Sequence, residues 1–484
     1  MTDHGPTEMA DVAVVGGGIA GLVVAWELAR AGARVIVCEA DATAGGMLRS
    51  GRIAGVEVDL GAESFATRTT GVADLVADAA LPLELTAPRA GGAQLAVPAR
   101  EIPASDGPAR EVPASDVSAP AGAVERHPLP RRAVAGLPAD PAADDVARII
   151  GAAGVARALQ ERALPLPADL AAAEPSLAEL ARTRYGSAVA ERLVDPLCRS
   201  VHSRPASALR LSAVAPNLWA EFLRRGSLTA AVDALAPAER AGAAIGGIAG
   251  GMWCLADALR TAAERAGAVV RTQTPVREIR STGAGAVLTL DGGAIVARHV
   301  VLATGPAAAG RLLGHEVAAE PVRLVTVAVV HPGLTAHPVG SGVIVAPGVP
   351  VDAKALTHAN AKWAWLDAAL NPDTHILRLS ARDAGTGLRT HDEVATALRA
   401  LTGVPVQATD IRALVETRWD DAVPAPGDGP TPTEALTAAA LARGIHLTGA
   451  IAAGTGLASV IPHARALARE LIAATTPVPA PHAL

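Results

Sequence analysis

Residues 11–39 read Asp11-Val-Ala-Val-Val15, Gly16-Gly-Gly-Ile-Ala-Gly21, Leu22-Val-Val-Ala-Trp-Glu-Leu-Ala-Arg-Ala31, Gly32, Ala33-Arg-Val-Ile-Val-Cys38 and Glu39. An apolar run, a glycine-rich turn, apolar positions at helical spacing, a second apolar run and an acid follow in that order. This predicts strand, turn, helix and strand. Gly16 permits the tight turn, Gly18 lets a pyrophosphate approach the backbone, and Gly21 lets helix and strand pack closely, with the anion at the helix N-terminus. Gly17, Ile19 and Ala20 complete the loop. Glu39, about 20 residues on, falls where a carboxylate accepts the hydroxyls of an adenosine ribose, with Ala40 beside it. The motif in its full context predicts a dinucleotide site on a Rossmann-like α/β fold.

Composition narrows the remaining choices. The chain has 484 residues, half of them apolar, with 47 Gly, 36 Pro and a formal net charge of -6. That length allows roughly three domains, and the apolar fraction excludes a disordered chain. Phe, Tyr and Trp together number nine, and Lys occurs only at Lys354 and Lys362. Base-stacking platforms are therefore hard to build, and no basic run suits a phosphate backbone, so nucleic acid is set aside. Cys38, Cys198 and Cys254 lack any C-x-x-C spacing, which argues against a disulfide framework, a zinc site and a dithiol relay. No metal ligand is named, and a reducing, cytoplasmic compartment is expected. No signal peptide is predicted. Residues 324–351, the longest stretch free of Asp, Glu, Lys and Arg, are broken by Pro, Gly and His and read as strands joined by turns rather than a membrane helix. A peripheral rest on the inner face of the membrane stays open, as does the oligomeric state.

Just beyond the second strand, Gly45-Gly46-Met-Leu-Arg49 resembles the segment that follows the ribose-binding acid in FAD enzymes of the amine-oxidase type, which makes Gly46 and Arg49 candidate contacts. Val56-Glu-Val-Asp-Leu60 alternates and runs into Gly61-Ala62-Glu63-Ser64-Phe65, similar to the stretch passing beside the flavin in those enzymes. From Gly250 the strand and helix pattern resumes, and Asp291-Gly-Gly293 between two apolar runs predicts a hairpin. In FAD-binding folds of this kind Val276 would contact adenine through its backbone. Near the C-terminus, Gly449, Gly454, Gly456 and Leu457 open a helix through Glu470. A helix N-terminus there would stabilise negative charge on a reduced flavin ring.

These stretches predict a discontinuous FAD-binding domain over residues 10–88, 240–306 and 415–475. A mixed-sheet substrate domain is expected over 89–139 and 307–414, and a helical insertion domain over 140–239. The substrate is expected to enter between these and the flavin. Residues 98–117 hold a tandem ten-residue duplication rich in Pro, Ala and Ser, which reads as an extended surface loop with no catalytic role.

Taken together, the chain resembles the bacterial porphyrinogen oxidases, FAD enzymes that aromatise coproporphyrinogen III or protoporphyrinogen IX. The resemblance rests on Gly16 to Gly21 with Glu39; on Gly61-Ala-Glu-Ser-Phe-Ala-Thr-Arg68; on Arg184-Tyr-Gly-Ser-Ala-Val-Ala-Glu-Arg-Leu-Val-Asp-Pro-Leu197 with Ser207-Ala-Leu-Arg-Leu-Ser212; on His127-Pro-Leu-Pro130 with Ala135-Gly-Leu-Pro138; and on Gly449 to Ile461. It covers nearly the whole chain apart from the duplicated loop and the termini. It implies FAD as cofactor, O2 as acceptor and a porphyrinogen as substrate in heme biosynthesis, coproporphyrinogen III first and protoporphyrinogen IX as the alternative. Six electrons leave in three rounds with three H2O2 formed, and because the cofactor carries the chemistry no catalytic dyad is named. The propionates of such a substrate favour Arg, and Arg68 is the first candidate, followed by Arg89 and Arg199. His202 is expected to be a capping or surface residue rather than a base.

Two departures from the family pattern stand out. Trp419 matches a Trp near the flavin, but Val-Pro-Ala-Pro426 replaces the Pro-Gln-aromatic sequence after it, and Ala450 stands where many relatives are polar. A non-catalytic FAD-binding paralogue is the rival these suggest. An amine oxidase or carotenoid-type desaturase is a second rival, and the scarcity of aromatics makes an amine cage hard to assemble. A single dinucleotide motif disfavours reductases that also bind NAD(P)H, and the missing C-x-x-C disfavours disulfide reductases.

Overall fold

Strand β1 (Thr7–Val15) is buried on both faces because alternate residues meet different layers. In the computed structural model, Val12 and Val14 pack under helix α1 (Ile19–Arg30), while Ala13 and Val15 enter a second core on the opposite face. The structure describes residues 6–99, 124–201, 204–236, 245–382, 386–424 and 432–475. It divides into one unit of Met1–Ala87, Ala244–Arg323 and Thr417–Leu484, and another of Pro88–Ala243 and Leu324–Glu416.

In the first unit, β1 pairs in parallel with β2 (Val35–Cys38) on one side and Gly293–Leu302 on the other. Val269–Arg271 adds to β2, and Ile445–Leu447 adds to the end of Gly293–Leu302, both again parallel. A parallel sheet covered on both faces needs apolar residues in both directions, which is why these strands read as near-continuous apolar runs. The predicted hairpin forms: Leu290 pairs with Gly293 across a two-residue turn at Asp291 and Gly292. Helices Trp253–Arg265 and Leu457–Thr475 join α1 on one face through Leu255, Leu259, Ile461 and Ala464, and Pro306–Leu313 lies in the core of the other.

The second unit holds a mixed sheet in the order Ile411–Pro424, Ala319–Val330, Thr374–Ala381, Ala353–His358, Gly342–Val345, Ala93–Pro98, Val124–Pro128. Strands 319–330 and 411–424 also carry the chain from one unit to the other. Helix His391–Thr402, closed at its start by the Thr390 and Glu393 capping box, contributes Val394, Leu398 and Leu401 to one core. Helices between residues 144 and 235 share another core with Leu95, Val97 and Ala346 of the sheet. This common core explains why the helical stretch and the mixed sheet fall in one unit here. Helix Pro306–Leu313, expected in the substrate domain, packs instead on the dinucleotide sheet.

The Arg184 motif is framework. Arg184 is buried and donates from Nε to Glu161 Oε1 at 2.9 Å and from Nη1 to the carbonyl of Pro165 at 2.9 Å. Tyr185 donates its hydroxyl to the Pro138 carbonyl at 3.1 Å, tying two of the family-like stretches together. Just after them, Ala190–Val194 widens into a π turn. Pro196 lacks an N–H and its ring crowds the preceding turn, which accounts for the widening. Among the described residues no helix is long and apolar enough to cross a membrane. The duplicated stretch, apart from residues 98 and 99, and His202 lie outside the described residues.

Candidate functional site

The glycine-rich turn folds as its spacing requires. Gly16 has a φ of +104°, and a Cβ there would sit 2.7 Å from the Ala303 carbonyl oxygen. A Cβ on Gly21 would sit 2.0 Å from the Gly16 carbonyl oxygen and 3.1 Å from Val14 Cγ1, so helix and strand touch backbone to backbone. Gly18 is open, the first atom in its path being Gly46 Cα at 4.0 Å. Helix α1 starts there without a side-chain cap or an acid in its first turn. The uncapped N–H groups and the positive end of the helix dipole therefore suit an anion. Ile19 is half-buried and Ala20 buried in that first turn.

Glu39 stands beside this turn at the end of β2. Its Oε2 accepts the Gly17 N–H at 2.6 Å and its Oε1 accepts the Asp41 N–H at 2.8 Å across the exposed Ala40. Its own N–H donates to the Arg271 carbonyl at 2.7 Å, and its carbonyl accepts the Thr274 N–H at 2.7 Å. These bonds bring the segment ending in the buried Val276 alongside the carboxylate.

Two further glycine segments converge on the first turn of α1. Gly45 donates to the Gly17 carbonyl at 2.8 Å and bridges Gly18, which sets Gly46 against the open backbone. Arg49 pairs with Asp41 at 2.6 Å. At Gly61 a Cβ would sit 1.9 Å from the Met47 carbonyl oxygen and 3.1 Å from Trp419 Cζ2, and Ala62 donates to the same Met47 carbonyl at 3.0 Å. Glu63 and Ser64 continue that segment, both half-buried. The Trp419 indole Nε1 is buried with no hydrogen-bond partner among the described residues. From the C-terminal end, Gly449 at φ +86° places its α-carbon so that a Cβ would lie 3.6 Å from Ala20 Cβ. Gly454 and Gly456 face open space, and the helix beginning at Leu457 follows them.

The three candidate arginines differ. Arg68 is exposed, donates to Ser459 Oγ at 3.4 Å in the first turn of the last helix, and among the described residues pairs with no carboxylate. Arg89 and Arg199 belong to the second unit and are already engaged, with Asp367 and Asp195 respectively, at 2.7 Å in each case.

Sequence reading missed several residues that hold the site together. Asp421 accepts the N–H groups of Ala307 at 2.7 Å and Ala308 at 2.9 Å, capping helix Pro306–Leu313 behind Thr304 and Gly305. Asp59 accepts those of Met252 and Trp253 and so fixes the start of the next helix. Their partners lie 114 and 193 residues away, so no local pattern signals them.

An anion-receptive helix start, a carboxylate at ribose distance along the chain, backbone left open at Gly18, Gly454 and Gly456, and an orphaned indole N–H fit a flavin dinucleotide. The fold and site thus define a dinucleotide-dependent oxidoreductase. Residues 19–472 match the flavin containing amine oxidoreductase family, and the chain belongs to it, with FAD as its cofactor. It is 30% identical over 479 residues to the coproporphyrinogen III oxidase of Mycobacterium tuberculosis, covering 93% of this chain and 94% of that one. It is 31% identical over 468 residues to the Mycobacterium leprae protein of the same name, covering 93% and 95%. In fold it is similar to an Exiguobacterium sp. 255-15 protein provisionally assigned as a protoporphyrinogen oxidase, with a TM-score of 0.76 at 21% identity over 96% of this chain and 99% of that one. A putrescine oxidase bound to putrescine aligns at a TM-score of 0.62 and 18% identity, over 97% and 100%.

The geometry at Glu39 carries a first prediction. Glu39→Ala removes the charged acceptor that we propose for the ribose, worth roughly 1.5–3 kcal/mol. FAD should bind about 10- to 100-fold more weakly in a fluorescence titration of the apoprotein; an unchanged affinity would place the adenosine elsewhere.

Proposed function

We propose that this chain oxidises coproporphyrinogen III to coproporphyrin III with O2 in heme biosynthesis. The observation that carries the reading is its near full-length match to the mycobacterial coproporphyrinogen III oxidases. When bound, FAD supplies the hydride acceptor for the substrate's bridging carbons and the route for electrons to O2. Removal of six electrons with three O2 gives three H2O2.

The chain's own groups hold and orient. The first turn of α1 receives the pyrophosphate and Glu39 the ribose, with Val276 at the adenine. The Trp419 ring lies against Gly61, its Nε1 is buried without a partner among the described residues, and the helix from Leu457 favours negative charge at its open N-terminal side. Arg68 is the propionate partner we favour, because among the described residues its guanidinium carries no carboxylate whereas those of Arg89 and Arg199 do. We assign substrate binding otherwise to the second unit and the cofactor to the first.

The reading requires a ratio of three O2 consumed and three H2O2 formed for each coproporphyrin III, measured with an oxygen electrode and porphyrin fluorescence. A different ratio contradicts it. Arg68→Ala should raise KM about tenfold with kcat little changed, as expected for one exposed charge-assisted contact.

A further inference from the structure

Three histidines of the second unit meet away from the glycine-rich turn. His358 ends strand Ala353–His358, His375 lies at the start of strand Thr374–Ala381, and His337 comes from the turn that follows Leu334. His358 and His375 are fully buried and His337 half-buried, and one nitrogen from each ring lies within 4.8 Å of the others. The rings meet edge to face, with centroids 5.1 Å apart for His337 and His358 and 5.1 Å for His358 and His375. We propose that these three imidazoles bind one zinc ion, which clips the turn carrying His337 to the sheet.

His358 Nε2 and His375 Nδ1 are 3.1 Å apart. Two nitrogens on a tetrahedral zinc, each 2.0–2.1 Å from it, are about 3.4 Å apart, so the buried pair is already at ligand spacing. The half-exposed His337 has only to close the remaining gap of about an ångström.

The surroundings also suit a cation. Asn360 lies 3.4 Å from His375 Nδ1, accepts the Ile376 N–H at 3.0 Å and donates to Asp367 at 3.1 Å, so a carboxylate stands one residue behind the rings. That carboxylate would offset part of the charge of the ion. Neutral imidazoles select zinc and its late first-row neighbours over magnesium or calcium. Three ligands leave the fourth position to water.

The test uses the full FAD-loaded chain, stripped of metal with a chelator. Calorimetric titration should show one Zn2+ per chain at micromolar affinity or tighter, and Co2+ should give the intense visible bands of a tetrahedral site. His337→Ala removes the ligand outside the core, so it leaves the flavin spectrum and the metal-free melting temperature unchanged. It should weaken Zn2+ binding at least 100-fold and abolish the rise in melting temperature that Zn2+ gives the parent. Absence of stoichiometric binding, octahedral-type weak Co2+ bands, or equal binding by His337→Ala each overturns the proposal.

Discussion

Gly21→Ala is expected to purify without its yellow cofactor. The added methyl group would lie 2.0 Å from the Gly16 carbonyl oxygen, and both atoms belong to backbone that cannot rotate away. Relief requires α1 to lift from β1 or the Gly16 turn to open. Gly16 itself lies close against the neighbouring strand end, where a Cβ on it would meet the Ala303 carbonyl at 2.7 Å. Overpacking of this kind costs roughly 1–3 kcal/mol or more. It falls on the turn and helix start that we propose receive the pyrophosphate, so FAD affinity should drop about 100-fold or further. The ratio of flavin to protein absorbance after purification reads this directly. Full flavin occupancy in Gly21→Ala would mean that the helix and strand do not meet as described.

The largest loss of stability is expected at Glu161→Gln. Glu161 is fully buried and accepts from Arg184 Nε at 2.9 Å, Ser227 Oγ at 2.7 Å, and the N–H groups of Leu228 at 2.7 Å and Thr229 at 3.0 Å. Glutamine keeps the shape but leaves the Arg184 charge in the interior without its counter-ion, a change that costs roughly 3–5 kcal/mol. At about 2–4 °C per kcal/mol for a unit of this size, the transition should fall by on the order of 10 °C. The pH dependence gives a second signature. Burial alone would raise the Glu161 carboxyl, but its hydrogen bonds to Ser227, Leu228, Thr229 and Arg184 prevail and hold it below the usual carboxylate range. Its contribution is therefore complete above the unfolded value of about 4.3 and is lost as pH falls through the lower folded value. The gap between parent and variant should be widest near neutrality and shrink in acid. Unfolding measured at neutral pH and near pH 3 checks this, and a constant gap would contradict it.

How far the sequence could be read follows from what is local. The β1, turn, α1, β2 and Glu39 succession lies within one contiguous stretch, and the hairpin at Asp291 is announced by its own residues. The glycines near residues 45, 61 and 449 were legible as punctuation and through family resemblance. The convergence of the first and last on α1, and of Gly61 on Met47, depends on contacts such as Gly45 with Gly17, which periodicity does not encode. Capping by Asp421 and Asp59 is likewise a choice of distant partner. Arg184 was visible only as part of a family-like string, and its pairing with Glu161 shows why that residue type is needed there. Arg89 and Arg199 carried the same chemical signal as Arg68, and only their ion pairs with Asp367 and Asp195 distinguish them. The three histidines sit on separate elements with no ligand-like spacing, so their meeting appears only in the folded sheet.

The central claim, FAD-dependent oxidation of a porphyrinogen, is tested most directly under anaerobic conditions. The yellow protein is mixed with coproporphyrinogen III or, separately, with protoporphyrinogen IX, the visible flavin band is followed, and air is then admitted. Coproporphyrinogen III should bleach the flavin faster than protoporphyrinogen IX, with porphyrin fluorescence and H2O2 appearing once O2 enters. Faster bleaching by protoporphyrinogen IX would reverse the substrate assignment, and a flavin left untouched by both would contradict porphyrinogen oxidation altogether.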